Sequence, residues 1–140
     1  MPTRLNPYLS FRDNAREAME FYRTVFGGEL VVSTFGEFQA AQDPAEEKLV
    51  MHAQLDTPGG LTLMASDTPP RMEFHQGTNF MISLSGEDEA ELTGYWTKLS
   101  QGGNVTMPLG PAPWAKAFGM CNDRYGIPWL VNVAGAPAPQ

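Results

Sequence analysis

Two histidines, one cysteine and sixteen carboxylates are the side chains of this 140-residue sequence from which proton-transfer, nucleophilic or metal chemistry could be built. His52 stands in a run with strand-like composition and Gln54 follows two residues later, so both project from one face of an extended segment. His52 is then either a hydrogen-bonding or general-base group of a site, or a sheet histidine satisfied by its neighbours. His75 has Glu73 on the same side and resembles a fragment of a metal site; two ligands do not hold an ion, and an exposed pair is the simpler reading. Cys121 has only Arg124 as a nearby base, which is a poor setting for an activated thiolate. Glu87, Asp88, Glu89 and Glu91 gather where a helix should begin and suit its positive end, while Asp43, Glu46 and Glu47 surround a loop; both groups read as solvated charge. No phosphate-cradling glycine loop, Ser-His-Asp order or paired-cysteine zinc motif is present.

A formal charge of −7 with nine scattered Lys and Arg argues against a nucleic-acid partner, because phosphate contacts need clustered cations. With 42% hydrophobic residues the chain can bury a core as one domain, and its length excludes a second full one. Apolar stretches are short, and residues 1–10 lack a basic segment followed by an apolar one. No membrane span or signal peptide is therefore expected, and the cytoplasm is the expected location. A lone cysteine forms no internal disulfide, which agrees with a reducing compartment.

These groups must be positioned by an α+β arrangement. Ala15, Ala18, Met19, Tyr22, Val25 and Phe26 fall at helical spacing behind a cap at Asp13 or Asn14, and Gly27-Gly28 ends the helix. A second helix is signalled by Ser85 as N-cap with Asp88 three residues on, by Leu92, Tyr95, Trp96 and Leu99, and by Gly102-Gly103 as the stop. Strands are predicted over residues 4–11, 29–38, 49–56, 61–66, 79–85, 104–109, 118–123 and 129–133, with Thr57-Pro58-Gly59-Gly60 as a hairpin turn. The order strand, helix, three strands thus occurs twice, at an offset of about 74 residues. Repeat one covers residues 1–67 and repeat two residues 75–135, joined by a polar linker, Asp67-Thr68-Pro69-Pro70-Arg71. The run Pro108-Leu109-Gly110-Pro111-Ala112-Pro113 reads as a loop able to fold over a site, and residues 135–140 as a frayed tail.

Five separated stretches carry a family resemblance: Asn6-Pro7-Tyr8-Leu9-Ser10-Phe11; Ala18-Met19-Glu20-Phe21-Tyr22 through Phe26-Gly27-Gly28; Met51-His52-Ala53; Leu63-Met64-Ala65-Ser66-Asp67; and Asp123-Arg124-Tyr125-Gly126-Ile127-Pro128-Trp129. In this order they resemble the PhnB-like branch of the vicinal-oxygen-chelate superfamily, which includes glyoxalases, bleomycin-resistance proteins and dioxygenases. The resemblance implies two tandem βαβββ modules forming a cupped mixed β-sheet, commonly a homodimer, with a ligand cavity on the concave side. Some relatives are labelled as a demethylubiquinone methyltransferase, but no glycine-rich strand-to-helix turn for S-adenosylmethionine is present, so methyl transfer is discounted.

Metal-dependent members hold a divalent ion with four His or Glu side chains, one from each of four strands. By the resemblance these positions fall at Asn6 or Pro7, at Leu63 or Met64, at Met81 and at Leu130. Leu and Met are not donors for a hard ion, so no metal and no cofactor is expected. Residues sharing strand parity with these positions should line the cavity: Asn6 and Tyr8, His52 and Gln54, Met64, Met81 and Ser83, Leu130 and Asn132. Trp114, Phe118 and Met120 would close its mouth. Such a pocket suits a flat or amphipathic organic ligand. The leading expectation is metal-free binding of a small molecule, with His52 the one candidate for catalysis. Two alternatives stand beside it: a metal-dependent isomerase, lyase or dioxygenase using His52 and a glutamate such as Glu37, and a domain whose cavity is filled by its own side chains.

Overall fold

A computed structural model describes residues 2–135, in which the chain forms two compact units, one ending at Gln76 and the other beginning at Gly77. The expected frayed tail, from residue 136 on, lies outside the described residues. In the first unit β1 (Tyr8–Phe11), α1 (Ala15–Phe26), β2 (Glu29–Thr34), β3 (Val50–Asp56) and β4 (Thr62–Asp67) form a four-stranded sheet in the order β1-β4-β3-β2. In the second, β5 (Ile82–Gly86), α2 (Glu89–Ser100), β6 (Asn104–Ala112), β7 (Ala115–Asn122) and β8 (Pro128–Val133) form another, ordered β5-β8-β7-β6. The first and last strands of each unit pair in parallel and the others antiparallel, so the fold is α+β with the same βαβββ plan twice. No helix among the described residues is long and apolar enough to cross a membrane.

Each sheet buries one face. In the first unit Leu9, Phe11, Ala53, Leu55, Leu63 and Ala65 are buried together with Ala15, Ala18, Met19, Tyr22, Val25 and Phe26 of α1. Each large side chain so buried stabilises by about 1.5–3 kcal/mol. In the second unit Leu84, Cys121, Trp129, Val131 and Val133 are buried, but α2 contributes only Leu92 and Leu99.

The double glycines have a common cause. A Cβ at Gly28 would fall on the Asp56 carbonyl oxygen, and one at Gly103 on the Asn122 carbonyl oxygen. In both units the chain leaving the helix passes directly against the end of the neighbouring strand, where only glycine fits. Gly27 and Gly102, with φ of +74° and +78°, supply the left-handed turn that brings it there.

Several expectations are corrected. Asn14 occupies the N-cap of α1 but its side chain makes no capping bond. The buried Asp67 carboxylate does so instead, accepting from the N–H groups of Ala15 (2.9 Å) and Val50 (2.8 Å). Asp67 is therefore the end of β4 and not linker. The polar segment after it is also held: Arg12 Nη1 donates to the carbonyls of Pro69 (2.9 Å) and Met72 (3.1 Å) and lies over the Phe74 ring, while Arg71 pairs with the buried Glu46 at 3.3 Å. Glu46 is thus a buried partner, not solvated charge. Ser85 does not cap α2, because β5 keeps pairing with β8 as far as Gly86. Asp88 is the cap, accepting from Glu91 N–H at 3.0 Å. The Pro-rich run is not a loop: residues 108–112 belong to β6, an edge strand whose pairing with β7 shifts register three times. A proline lacks the N–H a central strand needs, but an edge with register shifts tolerates it. Residues 4–7 and 79–81 lie outside strands, and β2 ends at Thr34.

Candidate functional site

Strand parity fixes which side chains lie opposite the helices. On the first sheet Tyr8 and Gln54 both pair with Met64, and Val31 pairs with Gln54, so these four form a row across the strands. His52 pairs with Ser33 on the same face. Of the two alternatives at the expected second ligand position, Leu63 is buried in the core and Met64 is half-buried on this other face.

His52 keeps the regular register, paired with Ser33, and an irregularity lies just beyond it. Thr34 pairs with Val50, so Met51 is an extra, unpaired residue. The bulge turns Val50, which has the sequence parity of His52, into the core. The Tyr8 hydroxyl lies 3.3 Å from His52 Nδ1, with ring centroids 5.8 Å apart. Gln54 is oriented from its other side: Nε2 donates to both carboxylate oxygens of Asp56, at 3.2 and 3.0 Å, and Thr62 Oγ1 donates to Asp56 at 2.9 Å. Sequence reasoning missed Ser10, Asp56, Thr62 and Ser66 on this face, although the parity of Tyr8, Gln54 and Met64 leads to them.

On the second sheet two further rows form opposite α2. Ser83 pairs with Leu130, Leu130 with Met120 and Met120 with Met107. Ser85 pairs with Asn132, Asn132 with Phe118 and Phe118 with Gly110. The Trp114 ring stands edge-on to Phe118 at 5.1 Å and is 63% exposed, in the tight turn between β6 and β7. Ser85 and Met107 are the residues missed here. The face is apolar and aromatic, with hydroxyl and amide groups at one side.

Asn6, half-buried, and Met81, exposed, precede β1 and β5 and join neither ladder. Glu37 lies in the exposed turn after β2, where its N–H donates to Thr34 Oγ1; the partner of His52 is Tyr8. His75 and Glu73 form an exposed pair at 3.2 Å. Burial, reinforced by Asp123, pushes the Cys121 thiol up to about 11, so it stays protonated at neutral pH.

The residues at the expected ligand positions do not fit a hard divalent ion. Leu63, Met64, Met81 and Leu130 offer alkyl or thioether groups, and Asn6 a single amide oxygen. Among the described residues, no three His, Cys, Asp or Glu side chains group as a metal site.

Residues 3–132 match the family model described as 3-demethylubiquinone-9 3-methyltransferase. The Escherichia coli protein YjdN is 30% identical over 92% of this chain and 94% of its own length. Protein PA1353 of Pseudomonas aeruginosa is 38% identical, with a TM-score of 0.83 over 95% of this chain and 98% of that one. The PhnB protein of Bacillus cereus is 33% identical, with a TM-score of 0.76 over 94% of this chain and all of that one. At 16% identity and a TM-score of 0.66, over 96% of this chain and 99% of the other, a glyoxylase/bleomycin resistance protein/dioxygenase domain from Frankia shares the fold alone. The chain therefore belongs to the family of this model, together with YjdN and the PhnB protein.

Proposed function

We propose that this chain binds a small, flat or amphipathic organic molecule on the sheet faces opposite its helices, without the divalent ion of metal-dependent relatives. One observation carries the reading: positions that should hold hard donors carry Leu and Met, while the same faces bear Tyr8, His52, Gln54, Phe118 and Asn132. Aromatic and thioether groups supply contact area, and a few amide, imidazole and hydroxyl groups fix orientation. Methyl transfer, the activity in the family model's description, finds no cofactor-cradling turn to carry it. The strand-to-helix connections are Arg12-Asp13-Asn14 and Glu87-Asp88, without the glycines that let a backbone approach a nucleotide-like cofactor. Homodimerisation and a cytoplasmic location belong to the same reading, taken from the superfamily and from the composition.

The test combines two measurements. Elemental analysis of protein purified without chelator should find far less than one divalent ion per protomer; a stoichiometric, tightly held ion would overturn the metal-free reading. A screen of small aromatic compounds by amide and methyl chemical shifts should perturb Met64 on the first sheet, or Met120 and Leu130 on the second. Perturbation confined to other surfaces would overturn the placement of the site.

A further inference from the structure

The two polar side chains at the centre of the first sheet's open face are each held from behind, and the holding fixes what they offer. In the tautomer with its proton on Nε2, His52 accepts at Nδ1 from the Tyr8 hydroxyl 3.3 Å away, with the phenol in its usual role of donor. Asp56 accepts both hydrogen bonds donated by Gln54 Nε2, which turns the amide oxygen Oε1 away from the carboxylate. In that tautomer the centre of the face presents a donor, His52 Nε2–H, and an acceptor, Gln54 Oε1, beside the hydroxyls of Ser10, Ser33 and Ser66. The two residues lie two apart on β3, about 6.6 Å along the strand, with Met64 paired to Gln54 as an apolar floor.

We infer that this face selects a planar ring carrying a hydrogen-bond acceptor at one end and a donor at the other, a para-hydroxyaryl carbonyl or a molecule of that pattern. The inference rests on the binding reading above and adds to it a polarity and a direction. The acceptor of the ligand meets His52, its hydroxyl donates to Gln54, and the ring lies on the Met64 thioether. A hydroxyl and carbonyl across one ring are separated by close to the two-residue repeat of a strand.

Three probes test it: 4-hydroxyacetophenone, 4-methoxyacetophenone, which lacks the donor, and 4-ethylphenol, which lacks the acceptor. The first should bind about five- to tenfold more tightly than either of the others, as expected for one lost hydrogen bond. Equal binding of all three at this face would overturn the polarity and leave small-molecule binding standing; binding of none would overturn both. Independently of any ligand, long-range nitrogen-15 spectra at about pH 8, where an ordinary imidazole is neutral, should show His52 protonated on Nε2. A proton on Nδ1 in the unaltered protein would overturn the inference. Tyr8→Phe should shift the tautomer toward Nδ1–H and weaken 4-hydroxyacetophenone but not 4-ethylphenol. Equal weakening of both would mean that Tyr8 acts through packing alone.

Discussion

The two units repeat one topology but anchor it differently. In the first, a carboxylate from the last strand, Asp67, reaches across to cap α1 and to hold the start of β3, and α1 buries a full apolar stripe. In the second, the buried carboxylate has moved to the β7–β8 turn. Asp123 Oδ1 accepts from Tyr125 and Ile127 N–H groups, at 2.8 and 3.1 Å, and Oδ2 from the Trp129 indole at 2.8 Å. The corresponding turn of the first unit uses only the Thr57 hydroxyl, which bonds Leu61 N–H and carbonyl at 3.0 Å. With its turn and largest core residue tied together, the second unit manages with a helix that buries two side chains and caps itself through Asp88. What the units share is the path of the chain; how polar groups secure it is separate in each.

The comparison can be broken at four levels. The largest effects should come from the glycines: Gly28→Ala and Gly103→Ala each force a Cβ onto a backbone carbonyl and should cost about 3 kcal/mol or more, Gly28 the more because its φ of +103° adds strain. A denaturant midpoint left near that of the unaltered protein by either would end the claim of a common path. Next come the carboxylates. Asp123→Ala leaves three N–H groups without an acceptor and should cost about 3 kcal/mol, against about 2 kcal/mol for Asp67→Ala, which leaves two. Near-ultraviolet circular dichroism should report Trp129 only in the former.

The caps should then diverge. Asp88→Ala should cost about 1 kcal/mol and Asn14→Ala only roughly a few tenths, because Asn14 makes no capping bond. Equal costs in thermal melts would refute the cap supplied by Asp67. The smallest effect at neutral pH is that of Cys121, whose pKa is raised from 9.0 to about 11. Below pH 9 folded and unfolded chains both keep the proton, so it contributes nothing to the pH dependence there. Between pH 9 and about 11 the unfolded thiol ionises first, and stability falls as pH rises. Cys121→Ala should flatten that limb of the stability profile.

Topology was legible in the sequence because α1 and the strands obey simple periods, and because glycine pairs punctuate both helices where no side chain fits. Tyr8, Gln54 and Met64 were each legible as candidates, but the row they form with Val31 follows only from the pairing registers. What escaped was long-range. Asp67 caps a helix that begins 52 residues earlier, and Arg12 closes on carbonyls some 60 residues later. Neither partnership leaves a local pattern. The prolines of β6 misled for a different reason: proline marks a loop unless the strand is an edge, and edge position is a property of the assembled sheet. Likewise the extra residue Met51, which turns Val50 into the core, is a fact of pairing register, invisible until β2 lies beside β3.

That edge strand has a consequence for colloidal behaviour. An exposed strand is a template on which another chain can crystallise, one hydrogen bond at a time, into a fibril. With prolines at 108 and 111 and an irregular ladder around both, β6 offers an incoming strand no unbroken run of donors. At this edge the folded protein is guarded against strand-by-strand polymerisation when concentrated.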